Sequence, residues 1–403
     1  MYYQRTLEKT LENLEKTFPV ILITGPRQVG KSFLLQKFAK GKFSYVTLDD
    51  LMLREQASRD PKLFLSKYDL PIIIDEIQYA PQLMNYIKIL VDKDRKNGMF
   101  WLTGSQKFEL MQGVSETLAG RIAILDLLGL SQSEIEKKPF STKPYVPLRK
   151  YDHFEELSIN EVYYRVWRGS YPELYKNKEL EWDRFYSSYI QTYIERDIRN
   201  LAQVADEKKF FVFLSVLAAR IGQLINYDDI SKDVGISVKK IKEWVSLLET
   251  SGIIYLLQPY YSNLTNRMIK TPKLYFLDTG LAAYLTRWDT FQVLEKGAMS
   301  GAFFENYVIS EIVKSYWHNG KEIGNLFFYR DRDGKEIDLL IDKNGKLYPI
   351  EIKKKSNPTI QDIKHFSVLN KFKKPIDCGS VICLCDDWIP LTEKVNAVNV
   401  GII

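Results

Sequence analysis

The run Phe18-Pro-Val-Ile-Leu-Ile-Thr-Gly-Pro-Arg-Gln-Val-Gly-Lys-Ser32 constrains the fold of this chain more than any other. Val20 to Ile23 form a short apolar segment, the pattern of a strand buried on both faces. Gly25, Pro26, Arg27, Gln28, Val29, Gly30, Lys31 and Ser32 then fit G-x-x-x-x-G-K-[ST], and Phe33 to Phe38 opens a helix. Two glycines let the backbone wrap a triphosphate with its N–H groups turned inward. The helix N-terminus adds positive potential, Lys31 reaches the β- and γ-phosphates, and the Ser32 hydroxyl is placed to hold Mg²⁺. The expected ligand is ATP or another nucleoside triphosphate.

The next stretch that bears on chemistry is Pro71-Ile-Ile-Ile-Asp-Glu76. Three β-branched apolar residues feeding two carboxylates describe a buried parallel strand that ends at a site. Asp75 is expected to share the Mg²⁺ with Ser32, and Glu76 to orient and activate the attacking water. Phe100 to Ser105 repeats the pattern, an apolar strand running out into Thr103 and Ser105. Two readings stand for these hydroxyls, contact with the γ-phosphate or ordinary polarity at a strand end. Arg121 lies before a further strand, Ile122 to Leu128. It is either a γ-phosphate cation, in cis or across a subunit interface, or a surface arginine, the better-supported of the two.

Strands alternating with helices up to Leu128 predict a parallel sheet covered on both faces. Ahead of it, Leu7, Leu11 and Leu14 mark an amphipathic lead-in helix. The segments Gly-Pro-Arg-Gln-Val-Gly-Lys-Ser, Ile-Ile-Asp-Glu-Ile-Gln, Leu-Thr-Gly-Ser and Leu-Ala-Gly-Arg, in this order, resemble an AAA-type P-loop ATPase family fused to a C-terminal domain of unknown function. Arg168-Gly-Ser-Tyr-Pro-Glu, Tyr193-Ile-Glu-Arg-Asp and Leu274-Tyr-Phe-Leu-Asp-Thr-Gly extend the resemblance over nearly the whole chain. The resemblance implies ATP binding and hydrolysis, with no biological role attached.

Lys137 to Arg149 reads as a linker, and Trp182 to Ala202 as helical. Lys208 to Ile221, Asp228 to Val234 and a helix capped by Ser237 follow, the last two broken at Gly235. With the strand Ile253 to Leu257 they resemble a winged helix-turn-helix. Lys239, Lys240 and Lys242 on one face suit either DNA phosphates or plain solvent.

Toward the C-terminus a helix (Gly301–Trp317) precedes three strands, a helix over Thr359–Asn370 and a strand over Ser380–Cys385. Asn344-Gly345 predicts a two-residue type I′ hairpin, which sets 343 opposite 346 and therefore Asp338 opposite Glu351. On that register Ile337, Leu339 and Ile341 share a core face, while Asp338, Glu351 and Lys353 share the polar one. Facing carboxylates repel, and a divalent cation between them turns the repulsion into a site. Lys353 would serve a water beside it. Glu305, on an otherwise apolar helix face, is a third candidate ligand. The order of elements with Asp338-x₁₂-Glu351-Ile-Lys353 resembles the PD-(D/E)xK nuclease superfamily, whose active-site positions Glu305, Asp338, Glu351 and Lys353 would match. The other reading is a charged hairpin in which Lys353 pairs with Glu336.

The expected architecture is therefore α/β: a P-loop NTPase parallel sheet (1–135), a linker and helical region (136–205), a winged-helix module (206–270) and a PD-(D/E)xK-like domain (271–403). A net charge of +6 permits DNA as a partner without requiring it. A protein partner and self-association stay open. No apolar run reaches the length of a membrane span, the first residues do not resemble a signal peptide, and three clustered cysteines argue against a disulfide framework. The expected compartment is the cytoplasm. The leading function is ATP hydrolysis coupled to DNA handling, with metal-dependent cleavage as an output. The second is an ATP-gated switch whose C-terminal parts only bind a partner.

Overall fold

The computed structural model describes residues 2–39, 41–105, 117–141, 143–151, 156–192, 207–261 and 271–403. Tyr193 to Asp197 and the second half of the helix expected over Trp182 to Ala202 lie outside them.

Five strands form the first sheet: β1 (Val20–Thr24), β2 (Ser44–Thr47), β3 (Ile72–Asp75), β4 (Phe100–Thr103) and β5 (Ile122–Asp126). They are ordered β2-β3-β4-β1-β5 and all run parallel. Parallel strands must be covered on both sides, and alternation along β1 supplies both cores. Ile21 and Ile23 join Leu7, Leu11, Leu34 and Leu35 on one face, with Ile73 and Trp101. Val20 and Leu22 join Ile74, Leu102, Phe64 and Ile87 on the other. The lead-in helix Leu7–Leu14 is present with Leu7 and Leu11 buried. Because every strand points the same way, Thr24, Asp75 and Thr103 emerge at one edge of the sheet.

The second sheet contains β6 (Ile254–Pro259), β7 (Lys273–Phe276), β8 (Leu326–Arg330), β9 (Glu336–Lys343), β10 (Lys346–Ile352), β11 (Gly379–Cys383), β12 (Ile389–Pro390) and β13 (Val395–Asn399). Its order is β12-β13-β11-β10-β9-β8-β6-β7. The helices Glu207–Ala218, Tyr227–Val234 and Val238–Thr250 precede β6, and Ser237 caps the last through Lys240 N–H. The β6–β7 pair belongs to the same sheet as the C-terminal strands, since Gln258 and Pro259 pair with Phe327 and Phe328. The division expected at residue 270 therefore falls inside one continuous sheet.

Asn344 and Gly345 have φ of 52° and 74°, the double positive φ of a type I′ turn, and Lys343 lies opposite Lys346. One part of the expected register does not hold. Phe327 faces Leu340 but Tyr329 faces Ile337, so one β8 residue spans both Asp338 and Leu339. This bulge turns Ile337 away from Leu339 and Ile341 into a second core with Tyr329, Leu340 and Leu347. The helix expected over Thr359–Asn370 is instead two 3₁₀ segments, Ile360–Ile363 and Phe366–Lys371. Buried Ile363, Phe366 and Leu369 recur at a spacing of three, the period of that tighter helix.

A buried cluster of Arg5, Glu134 and His318 links the first sheet's side of the molecule to the helix Ser300–Trp317. The Arg5 guanidinium donates to Val29 O at 2.8 Å, Leu128 O at 2.7 Å and the Glu134 carboxylate at 2.9 Å, all buried. Glu134 also faces His318 Nδ1 at 3.4 Å, on the turn that closes the helix Ser300–Trp317. Burial pushes the Glu134 carboxyl up, but Arg5 and His318 outweigh it and hold the group well below the usual range. Arg5→Leu strands a buried carboxylate and is expected to lower the unfolding free energy by about 3–5 kcal/mol, read from urea denaturation. The double variant Arg5→Leu/Glu134→Leu should recover part of that loss. A depressed carboxylate stabilises above its unfolded pKa and stops doing so as pH falls. The wild type should therefore lose stability below about pH 4.5 more steeply than the double variant.

Candidate functional site

The loop Gly25–Ser32 leaves the C-terminal end of β1 and enters the helix Lys31–Ala39. Gly25 has φ of 138°, and a Cβ there would lie 2.0 Å from Leu127 O, so only glycine permits the close approach. Gly30 also has positive φ, 93°, but faces open space. Lys31 is buried, and its ammonium donates to Gly25 O at 2.9 Å and Pro26 O at 2.8 Å. Burial pushes its pKa down to about 8. The Ser32 hydroxyl donates to Asp75 Oδ1 at 2.8 Å. A hydroxyl and a carboxylate in contact at the mouth of a phosphate loop are a donor set that fits Mg²⁺.

The two strand-end hydroxyls serve these acids. Thr103 Oγ1 donates to Asp75 and accepts from Glu76 N–H at 3.0 Å. Ser105 Oγ donates to Glu76 Oε2 at 3.2 Å, where Gln78 Nε2 also donates. Glu76 itself sits in the left-handed region with φ of 57°, which sets its side chain apart from the strand it follows. Tyr45, from the neighbouring β2, donates to Asp75 Oδ2 at 2.8 Å, and burial together with Asp75 pushes its phenol up to about 12. Tyr45 and Gln78 were not singled out from the sequence. Only the strand order reveals Tyr45, whereas Gln78 follows Glu76 at i+2.

Arg121 is elsewhere. It immediately precedes Ile122, which is level with Val20 at the start of β1, and its carbonyl accepts from Val20 N–H. That is the edge opposite the phosphate loop, so Arg121 cannot act there in cis. Its guanidinium pairs with Asp92, Nε at 2.5 Å, and the pair is partly exposed.

A cavity of about 590 Å³ adjoins the loop, lined by Tyr2, Tyr3, Gln28, Gly30, Phe33 and Phe185 among others. The Tyr2 and Phe33 rings lie 5.5 Å apart. Beside it, Arg168-Gly-Ser and Leu277-Asp-Thr come together from distant parts of the chain. Asp278 accepts from Ser170 N–H at 2.6 Å, Ser170 Oγ at 2.8 Å and the Tyr186 hydroxyl at 2.7 Å. This node is a buried packing junction.

The second cluster gathers around Asp338. Lys353 Nζ lies 3.2 Å from Asp338 and 2.8 Å from Glu351, and Ile352 N–H donates to Asp338 at 2.9 Å. Burial pushes Asp338 up, but Lys353 and Lys273 outweigh it and hold it below its ordinary value. Burial and the Asp338 charge push Glu351 up to about 9. These side chains, with Glu336, Lys364 and His365, line a cavity of about 420 Å³. The triad expected of Glu305, Asp338 and Glu351 is not assembled. Glu305 accepts from Tyr275 at 2.6 Å and Lys273 at 3.2 Å, and Lys273 also pairs with Glu336 at 2.5 Å. The reason is Lys273, a buried ammonium from β7 that supplies Glu305 with a counter-charge without any metal. Among the described residues no group of three His, Cys, Asp or Glu side chains is disposed to hold a metal ion. Nor does Lys353 pair with Glu336, as the charged-hairpin reading had it.

Of the three lysines on the helix Val238–Thr250, Lys239 and Lys242 are exposed, and Lys240 is half-buried beside Glu243 at 3.2 Å. No helix among the described residues is long and apolar enough to cross a membrane.

The parallel sheet and the loop after its first strand resemble those of P-loop NTPases. Residues 17–136 match the family model described as an AAA domain; 159–292 and 300–403 match two models described as domains of unknown function. An uncharacterized protein of Mycobacterium tuberculosis is 28% identical over 346 residues, 85% of this chain and 72% of the relative. One of Haemophilus influenzae is 22% identical over 357 residues, 82% of this chain and 81% of the relative. Among solved structures, the Walker-type ATPase of Pyrococcus abyssi aligns over 70% of this chain and 96% of that one, with 15% identity and a TM-score of 0.43.

The two loop glycines are separable by substitution. Gly25→Ala meets both a carbonyl oxygen and a disfavoured φ, whereas Gly30→Ala meets only the latter. Gly25→Ala is expected to lower Tm by more than Gly30→Ala does, as differential scanning calorimetry would record.

Proposed function

We propose that this protein binds ATP in the Gly25–Ser32 loop and hydrolyses it with Glu76 as the base. The observation that carries the reading is the juxtaposition of Lys31, Ser32, Asp75 and Glu76 at one edge of the parallel sheet, with Thr103 and Ser105 fixing the two acids. Lys31 neutralises the β- and γ-phosphates after exchanging the loop carbonyls for phosphate oxygens. Ser32 and Asp75 would hold Mg²⁺, which supplies neutralisation of phosphate charge when bound. Glu76 takes a proton from the attacking water as the water oxygen bonds to the γ-phosphorus. The bond from that phosphorus to the β–γ bridging oxygen breaks, and ADP leaves with the electron pair. The aromatic cavity of Tyr2, Tyr3 and Phe33 is of a size that suits the adenine and ribose. Lys31→Ala should lose tight ATP binding. Glu76→Gln should keep it and hydrolyse at least about a hundredfold more slowly, a split read from equilibrium binding and single-turnover rates. Equal single-turnover rates in wild type and Glu76→Gln would remove Glu76 from this role.

ATP turnover coupled to DNA is the fuller form of this reading. Its support is the exposed Lys239 and Lys242 on the second helix of a helix-turn-helix-like pair, and the cavity lined by Asp338, Glu351, Lys353, Lys364 and His365. Asp338 and Glu351 would hold a divalent cation there, and Lys353 would orient a water for strand cleavage. Thermal unfolding with and without Mn²⁺ tests this. Wild type should gain Tm by mass action, Asp338→Asn should not, and only wild type should nick plasmid. If Mn²⁺ shifts neither protein and neither nicks DNA, the cleavage reading fails. The alternative is then a switch that binds a protein partner in its ATP-bound state. Stimulation of turnover by a protein but not by DNA favours it.

A further inference from the structure

We propose that Arg27, steadied by Tyr79, is the chain's own cation for the charge that develops during ATP hydrolysis. This rests on the hydrolytic reading above and gives the role in cis to Arg27 rather than to Arg121, which lies at the opposite edge of the sheet.

Arg27 is the third residue of the Gly25–Ser32 loop, and its side chain reaches the 3₁₀ turn that follows β3. Its Nη2 donates to the Tyr79 hydroxyl at 3.3 Å. Tyr79 ends the 3₁₀ turn Ile77–Tyr79, which follows Asp75 and Glu76 directly. The guanidinium therefore bridges from the loop to the segment that carries the acids, on the side of the sheet where Ser32 and Asp75 touch. Asp49, two residues past β2, senses the same group: burial, Glu76 and Asp75 push its carboxyl up, and the opposing pull of Arg27 and Arg54 does not cancel this.

The mounting of Tyr79 is what makes the position specific. The Arg54 guanidinium lies 3.8 Å from the Tyr79 ring centroid, and Arg54 Nε is fixed on Leu48 O at 2.9 Å. Leu48 N–H in turn donates to Asp75 O at 3.0 Å. Tyr79 is thus held by the same strand pair that presents Asp75. A bond of 3.3 Å to a neutral phenol is long, and a phosphate oxygen makes a shorter, charge-assisted one. When the bond from the γ-phosphorus to the bridging oxygen breaks, negative charge grows on ADP and on the transferred group. A planar guanidinium at that edge stabilises this charge more in the transition state than in the ground state. Arg27 is the group that would touch the phosphates; Tyr79 and Arg54 are positioning residues.

The test compares Arg27→Ala, Arg27→Lys and Tyr79→Phe with wild type. The readouts are kcat, affinity for ADP, and affinity for ADP with aluminium fluoride, which mimics the transition state. Arg27→Ala is expected to lose kcat by roughly 10²–10³-fold while ADP affinity changes by less than about threefold. The aluminium fluoride complex should weaken in parallel with kcat, and added guanidinium should restore part of the rate. Arg27→Lys should remain impaired, because an ammonium lacks the fork, and Tyr79→Phe should lose rate without losing ADP. An unchanged kcat in Arg27→Ala, or a loss shared equally by ADP binding, overturns the proposal while leaving the ATPase reading intact. If wild type itself releases no phosphate from ATP, the ATPase reading fails and takes this inference with it.

Discussion

The buried pair of Arg5 and Glu134 is the interaction on which the rest of this structure depends. Neither charge reaches water, so each requires the other. Arg5 also closes the valences of Val29 O and Leu128 O, one in the phosphate loop and one just beyond β5. A loop whose backbone must stay in an unusual conformation is thereby braced from behind. Glu134 passes the constraint on, accepting from Thr6 N–H at 2.7 Å and facing His318. Burial holds the His318 imidazole below its ordinary pKa despite that neighbour. Its Nε2 then accepts from Leu128 N–H at 3.3 Å.

The helix Ser300–Trp317 carries the consequence to the second cluster. Toward its C-terminal end Glu311 accepts from Gln132 N–H at 2.8 Å and Lys314 Nζ donates to Leu130 O at 3.1 Å, both in the segment that follows β5. Toward its N-terminal end Asn306 bonds both backbone groups of Phe276 in β7, and Glu305 meets Lys273 and Tyr275. One helix is therefore pinned to the segment after β5 at one end and to the Asp338 neighbourhood at the other. Gln132 Nε2 adds a further tie, donating to Val400 O and Ile403 O. Three regions with separate sequence signatures thus contribute to one shared hydrophobic cluster.

What could be read in advance follows from the range of the forces involved. The apolar run Val20–Ile23, the loop glycines, the acids after Ile74 and the Asn344-Gly345 turn are local patterns, and the structure holds each where local physics places it. The partners of Asp75 were half legible: Ser32 follows from the motif, while Tyr45 depends on which strand lies next to β3. Lys273 lies 32 positions from Glu305 and 63 from Glu336, and no periodicity connects them. The bulge at Asp338 and Leu339 escaped for a different reason. Period-two alternation assumes an unbroken ladder, and a single extra residue reverses the face of everything before it. For Arg121 the surface reading, the better-supported one, agrees with its partly exposed pair with Asp92; the cis γ-phosphate reading fails because the residue before a strand lies at the opposite edge of a parallel sheet from the residue after it.

The central claim is that the edge formed by Lys31, Ser32, Asp75 and Glu76 is a nucleoside triphosphate site. Thermal unfolding of the full chain in Mg²⁺ with and without ATP tests it most directly. A ligand that binds only the folded state stabilises it by about 2.7 kcal/mol at a hundred times its Kd, so Tm should climb steadily with ATP concentration in the wild type. The same titration of Lys31→Ala should leave Tm flat. A wild-type Tm that does not move at millimolar ATP, or that moves equally in Lys31→Ala, would contradict the account.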